Sequence, residues 1–266
     1  MLTEKKVSTS LGELHVWDSQ VGEPVLFVHG FPLDHSMWIK QSDRFADQYR
    51  VIAPDLPGFG MNASYSGTLT MKQMADALVE MLDGLELTQP VTVCGLSMGG
   101  YVAWQLILHY PERIEDLILC DTRAAADSDD VRQGRLKLAA QVLASGAGLV
   151  ADSMPAKLFA PVTIESNKPC VEITRQVIQA CPPETIAAAL LGMAERPDVT
   201  GELPEIAHRT LVVCGEHDVI TPPAEMEQMA RSLPKAEFHL IPDAGHMAPL
   251  ENPLRVNQVL ESFLKR

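Results

Sequence analysis

Val91-Thr92-Val93-Cys94-Gly95-Leu96-Ser97-Met98-Gly99-Gly100 is the stretch whose reading decides the fold of this chain. Mostly apolar, β-favouring residues run into Gly-x-Ser-x-Gly, and Val102, Ala103, Leu106 and Ile107 then recur at helical spacing. This predicts a strand, a sharp turn and a helix. In that context a serine between the two elements sits in a strained backbone conformation with its Oγ pointing away from both. Gly95 and Gly99 leave room where a β-carbon would collide with neighbouring backbone. The helix N-terminus brings unpaired N–H groups, that of Met98 among them, beside the serine, and such donors can hold an oxyanion.

Working outward, residues 7–9 and 14–17 alternate around Leu11-Gly12 and read as an antiparallel hairpin at a sheet edge. Val25-Leu26-Phe27-Val28 is a continuous apolar run, the mark of a strand covered on both faces, and it ends in His29-Gly30-Phe31-Pro32. Residues 36–48 read as a helix, and Arg50-Val51-Ile52-Ala53 as a strand entering the Pro- and Gly-rich loop at 54–60. Thr70 caps a helix carrying Met74, Leu78, Met81 and Leu82. The helix after Ser97 stops at Tyr110-Pro111, and Leu117-Ile118-Leu119-Cys120 is another buried strand.

Alternation of this kind means a mostly parallel sheet with helices on both faces. It stops at residue 122. Residues 122–203 show only helical pattern (131–143, 174–180 and 184–193), broken by Pro155, Pro161, Pro169 and Pro182-Pro183. Strands resume at 211–214 and 237–241, with helices at 223–233 and 253–264. The expected organisation is an α/β core with an eight-stranded sheet, formed by residues 1–121 and 204–266, and a helical cap inserted at 122–203.

Composition narrows the function. The 266 residues are 46% hydrophobic and 21% charged, as in an ordinary globular protein. A formal net charge of −14 argues against nucleic acid and gives an anionic membrane surface nothing to attract. Residues 1–10 are polar, with no apolar core after Lys5 and Lys6, so no secretory leader is expected. Cys94, Cys120, Cys170, Cys181 and Cys214 form no Cys-x-x-Cys pair and suggest reduced thiols in a cytoplasm. Neither His-x-x-x-His nor His-Glu-x-x-His occurs, and no metal or organic cofactor is expected.

Ligands of open parallel sheets bind beyond the carboxyl ends of the strands. The turns expected at that edge carry Ser97, Asp121, Asp218 and His246, enough for a hydrolytic triad in which either aspartate satisfies the chain order. With His29-Gly30-Phe31-Pro32, Asp55-Leu56-Pro57-Gly58-Phe59-Gly60, Gly95–Gly100, Gly215-Glu216-His217-Asp218-Val219-Ile220-Thr221-Pro222 and Gly245-His246 in this order, the chain resembles the α/β-hydrolase superfamily along essentially its whole length. Within it, Gly-Leu-Ser-Met-Gly-Gly and the helical insertion are similar to small capped carboxylesterases and 3-oxoadipate enol-lactonases.

The resemblance implies that Ser97 is the nucleophile, His246 the base and Asp218 the acid that orients it. The N–H groups of Phe31 and Met98 would form the oxyanion hole. It implies a small-molecule ester or lactone substrate, with carbon–carbon bond hydrolysis, cofactor-free perhydrolysis or a receptor with vestigial turnover as alternatives. A serine in place of aspartate at position 97 sets aside dehalogenase and epoxide-hydrolase chemistry. Met61-Asn62 stands where the family often has Ser or Thr, a departure assigned to a surface loop.

Other residues are read from their context. The resemblance implies that His29 is structural, and Asp55, ending a strand before its Pro/Gly loop, is read as capping that turn. Arg123 pairs with Asp121 or Asp127, or meets an acidic substrate. Trp38, Tyr101, Met154, Phe159 and Met193 are candidate pocket walls. A monomer or homodimer is expected.

Overall fold

The central strands are mostly apolar because most of their residues are buried on both faces, as the computed structural model, which describes residues 2–265, makes plain. A hairpin of β1 (Thr3–Thr9) and β2 (Gly12–Asp18) opens the chain. There follow β3 (Glu23–Val28), a 3₁₀ turn (His35–Trp38), α1 (Ile39–Phe45), β4 (Tyr49–Pro54), α2 (Met71–Gly84), β5 (Val91–Leu96), α3 (Met98–His109) and β6 (Ile114–Cys120). Six helices come next without a strand: α4 (Asp129–Ser145), α5 (Gly148–Ser153), α6 (Pro155–Leu158), α7 (Pro161–Glu165), α8 (Pro169–Ala180) and α9 (Pro183–Ala194). The chain closes with β7 (Thr210–Gly215), α10 (Pro223–Ser232), β8 (Ala236–Ile241), α11 (Ala248–Glu251) and α12 (Pro253–Leu264).

The eight strands form one sheet in the order β1-β2-β4-β3-β5-β6-β7-β8. The pairs β1–β2 and β2–β4 are antiparallel, and all pairs from β4 to β8 are parallel. From β3 the chain steps to β4 on one side, then back past β3 to β5 and on to β6. Right-handed crossovers therefore place α1 on one face and α2 and α3 on the other. α1 packs beside α12, and α2 beside α3.

Two local readings change. The helix expected at 36–48 is a 3₁₀ turn followed by the shorter α1, because the Asp34 side chain accepts the Ser36 amide at 2.9 Å and starts a tight turn. The prolines at 155, 161, 169 and 183 do more than separate helices. Each stands in the first turn of one, where a missing N–H costs nothing. Thr70 caps α2 as expected, in a reciprocal box with Gln73.

Residues 61–64 form the expected surface loop, with Met61, Ala63 and Ser64 exposed, but the Asn62 side chain turns inward. It is buried, accepts the His15 amide at 2.8 Å and donates to the carbonyls of Asp55 and Leu56, so it clasps β2 to the 54–60 loop.

Candidate active site

Adjacent parallel strands deliver the chemistry-bearing residues to one edge. Ser97 follows β5, Asp121 follows β6, Asp218 lies just past β7 and His246 just past β8. Ser97 has φ 53° and ψ −111°, a left-handed conformation costly for a residue with a β-carbon. Its surroundings hold it there. The Ser97 amide donates to the carbonyl of Cys120 at 3.0 Å, and the Thr122 hydroxyl donates to the Ser97 carbonyl at 2.8 Å. A β-carbon on Gly95 would come within 2.4 Å of the Gly99 carbonyl oxygen, so strand and helix meet this closely only with glycine there. Met98 is the first residue of α3, and its amide has no acceptor within the helix. The Phe31 amide donates no hydrogen bond among the described residues.

Asp218 and His246 are buried and bonded, with Nδ1 of His246 2.8 Å from Oδ2 of Asp218. The same oxygen accepts the Thr221 hydroxyl at 2.5 Å, and Oδ1 accepts the amides of Ile220 (2.7 Å) and Thr221 (3.1 Å). Burial alone would push this carboxyl up, but His246 and the Thr221 donors outweigh it and hold Asp218 below its ordinary value. An ionised Asp218 accepts a hydrogen bond from Nδ1–H of a neutral imidazole, which leaves Nε2 as the acceptor. Thr221 belongs to the Gly-x-x-Asp-x-x-Thr-Pro stretch, but its part in holding the acid was not legible there.

The His246 loop is anchored from residues 122–203. The Met247 amide donates to Leu158 at 3.0 Å. The Glu251 carboxylate accepts from Gly245 (2.7 Å) and from Ala160 (2.8 Å). No sequence signal marks Glu251, because its partners are remote or generic.

His29 is fully buried, with Nδ1 at 2.9 Å from the Gly30 carbonyl and Nε2 accepting the Leu56 amide at 2.9 Å. Burial lowers its pKa and keeps it neutral. Asp55 accepts the amide and Nδ1 of His35 and the amide of Met61, so it caps the turn as its position suggests. Arg123 pairs with neither expected aspartate. It meets Glu225 at 3.1 Å, while Asp127 is held by Arg135 and Arg196.

The candidate wall residues have the following surroundings. Trp38 is wholly buried against Phe27, with ring centroids 5.2 Å apart. Tyr101 lies under the Arg196 guanidinium at 4.3 Å and shares a small recess with Trp104 and Val199. Phe159 sits beside Gly245, next to His246. Met193 contacts Arg135 through its sulfur, and Met154 is half-buried at the end of α5. A cavity of about 410 Å³ lined by Leu33, Met37, Lys168, Ile173, Val177 and Leu250 includes none of these five, nor the Ser97, Asp218 and His246 group.

Among the described residues, donor groups close enough for a metal occur at Asp34–His35–Asp55, at Asp121–Asp218–His246 and, exposed on the surface, at Glu216–His217–Asp243. In the first two, hydrogen bonds already engage the histidine and an aspartate. Among the described residues no single helix is long and apolar enough to cross a membrane.

A sequence model of the family described as the alpha/beta hydrolase fold matches residues 23–253. A thermophilic esterase of Thermogutta terrifontis, solved with malate bound, is 44% identical, covers 99% of this chain and 98% of its own, and superposes with a TM-score of 0.95. The 3-oxoadipate enol-lactonase 2 of Acinetobacter baylyi is 29% identical over 93% of this chain and 91% of its own. A Mycobacterium tuberculosis protein named as a non-heme bromoperoxidase is 30% identical over 92% of this chain and 95% of its own.

Proposed function

The chain belongs to the alpha/beta hydrolase fold family, and on that premise we propose that it is a serine hydrolase of carboxylic esters or lactones acting through an acyl-enzyme on Ser97. Ester hydrolysis is the chemistry of its esterase and enol-lactonase relatives. The observation that carries the serine mechanism is the buried Asp218–His246 bond, at the same sheet edge as a serine in a strained strand-to-helix turn. His246 takes the proton of Ser97 through Nε2 as Oγ attacks the carbonyl carbon. The tetrahedral oxyanion rests on the amides of Phe31 and Met98, which cost no reorganisation because the backbone fixes them. The alcohol leaves with a proton from His246, and water activated by the same nitrogen releases the acid.

We assign residues 122–203 the part of a cap over this edge. Its contacts with the His246 loop at Leu158 and Ala160 support that assignment. The malate held by the Thermogutta terrifontis esterase supports small carboxylic acids as products. The bromoperoxidase relative favours one second reading, in which hydrogen peroxide replaces water in the second half-reaction and gives a peracid.

The test is fluorophosphonate labelling with a rate panel of p-nitrophenyl esters of graded length, simple lactones and an enol-lactone, run with and without peroxide. Wild type is expected to label and Ser97→Ala not to label, with a loss of about 10⁶ in kcat. Short and medium acyl groups and lactones should exceed long-chain esters. An equally labelled Ser97→Ala removes the nucleophile assignment.

A further inference from the structure

Behind the Asp218–His246 pair lies a third titratable group that this mechanism does not use. Asp121 is fully buried at the end of β6 with φ 46°, held by its own amide to the Val213 carbonyl at 2.9 Å. Its Oδ1 accepts the Gly215 amide at 2.8 Å. Its Oδ2 has neither solvent nor a conventional donor. An oxygen of Asp121, an oxygen of Asp218 and a ring nitrogen of His246 all lie within 4.8 Å of one another. The other titratable groups facing Asp121 are the thiols of Cys120, its neighbour in the chain, and of Cys214 on β7. Arg123, two residues on, turns away to Glu225 and the Ile220 carbonyl.

Two carboxylates this close, both shut off from water, cannot both stay ionised. Asp218 already accepts four hydrogen bonds, which select it as the charged member. Asp121 has one amide donor and an orphan oxygen, which is the pattern of a neutral acid: a carbonyl that accepts and a hydroxyl that must donate. We propose that Asp121 is carried as the neutral acid and donates its Oδ2 proton to Asp218, making it a positioning residue that fixes the acid and limits how strongly Asp218 draws positive charge onto His246. Burial, with the charge of Asp218 second, pushes the Asp121 carboxyl well above the usual range, in the same direction.

The inference rests on the triad reading but fails separately from it. Asparagine at 121 copies the neutral acid, with its Oδ1 accepting from Gly215 and its Nδ2 donating to Asp218. The wild-type minus Asp121→Asn infrared difference spectrum near neutral pH should therefore show a protonated-carboxyl C=O band that moves in D₂O. Asp121→Asn should leave the acidic limb of the kcat/KM profile within about 0.2 pH unit. Asp121→Ala removes the donor and leaves more charge on Asp218, so the limb should move to higher pH by about half a unit or more. An absent band, with Asp121→Asn moving the limb to lower pH, shows an ionised Asp121 and overturns the proposal. A limb unmoved in a folded Asp121→Ala overturns the positioning role. Where Asp121→Ala does not fold, the infrared band and Asp121→Asn decide. Absence of Ser97 labelling by fluorophosphonate overturns the triad, whereas absence of the band overturns the neutral Asp121.

Discussion

A β-carbon on Gly99 would stand 2.2 Å from the carbonyl oxygen of Val28. That oxygen belongs to β3, and the His29 carbonyl lies 2.8 Å from the same point, so the only relief is to move α3 off the sheet. Gly99→Ala is expected to cost at least about 3 kcal/mol, lowering Tm by roughly 6–12 °C or preventing soluble expression. Gly134 offers the contrast. It lies inside α4 with nothing within 4 Å of its virtual β-carbon, and Gly134→Ala should stabilise by about 0.5–1 kcal/mol. Differential scanning calorimetry of both variants checks the pair. An unchanged Gly99→Ala would mean that strand and helix meet less closely than described.

Asp218→Asn should retain the fold and lose most of the rate. The amide is isosteric, but its NH₂ must face either Nδ1 of His246 or the donors of Ile220 and Thr221. The imidazole then loses the partner that keeps its proton on Nδ1. In serine proteases this change costs about 10⁴ in kcat, and a fall of several orders is expected here. Steady-state kinetics with circular dichroism as a fold control measure it. A loss under tenfold would move the acid elsewhere, with Asp121 the first place to look.

Much of this was legible in the chain because the signals are local. Gly95, Ser97 and Gly99 encode steric contacts between a strand and the helix that follows it. Asp55 announces a turn by preceding Pro and Gly, and it caps that turn. Non-local pairings were not legible. Arg123 has two aspartates near it in sequence yet binds Glu225, far along the chain, because β6 and β7 run side by side and bring α10 to it. Asn62 sits in the surface loop expected of it, but its inward bonds were not legible, because nothing nearby tells that the 54–60 loop folds back onto β2. Apolar spacing marks what is buried and not which cavity it faces, so it could name candidate wall residues without assigning them to a cavity.

Asp18 makes the fold sensitive to acid in a stated direction. It is buried at the end of β2, where burial alone would raise its carboxyl, but Arg50, Lys5 and the Gln20 amide outweigh that and hold it low. A carboxylate lowered on folding contributes stability above its unfolded value of about 3.9 and loses that contribution as pH falls through the folded value. Asp18→Asn should therefore cost about 2 kcal/mol near neutrality. The gap to wild type should close below about pH 4. Tm measured across pH tests this. A gap that widened in acid would reverse the sign and remove Asp18 as the cause.

Glu251 gives a prediction that joins stability to rate. It is only 5% exposed, and each carboxylate oxygen takes one backbone amide: Gly245, which precedes His246, and Ala160, within residues 122–203. A glutamine has one acceptor oxygen. Its NH₂ must then face one of those N–H groups, donor against donor. Leaving one buried amide unpaired costs about 1–3 kcal/mol, or a Tm loss of roughly 3–10 °C. The strain falls on the backbone next to the imidazole, where small misplacements are expensive, so kcat/KM should also drop by about 10–100-fold. Glu227→Gln is the control. Glu227 pairs with Arg231 one helical turn along the exposed face of α10, and its loss should cost no more than about 0.5 kcal/mol with no change in rate. A Glu251→Gln enzyme that lost stability but kept kcat/KM within twofold would show that Glu251 ties the two segments together without positioning His246.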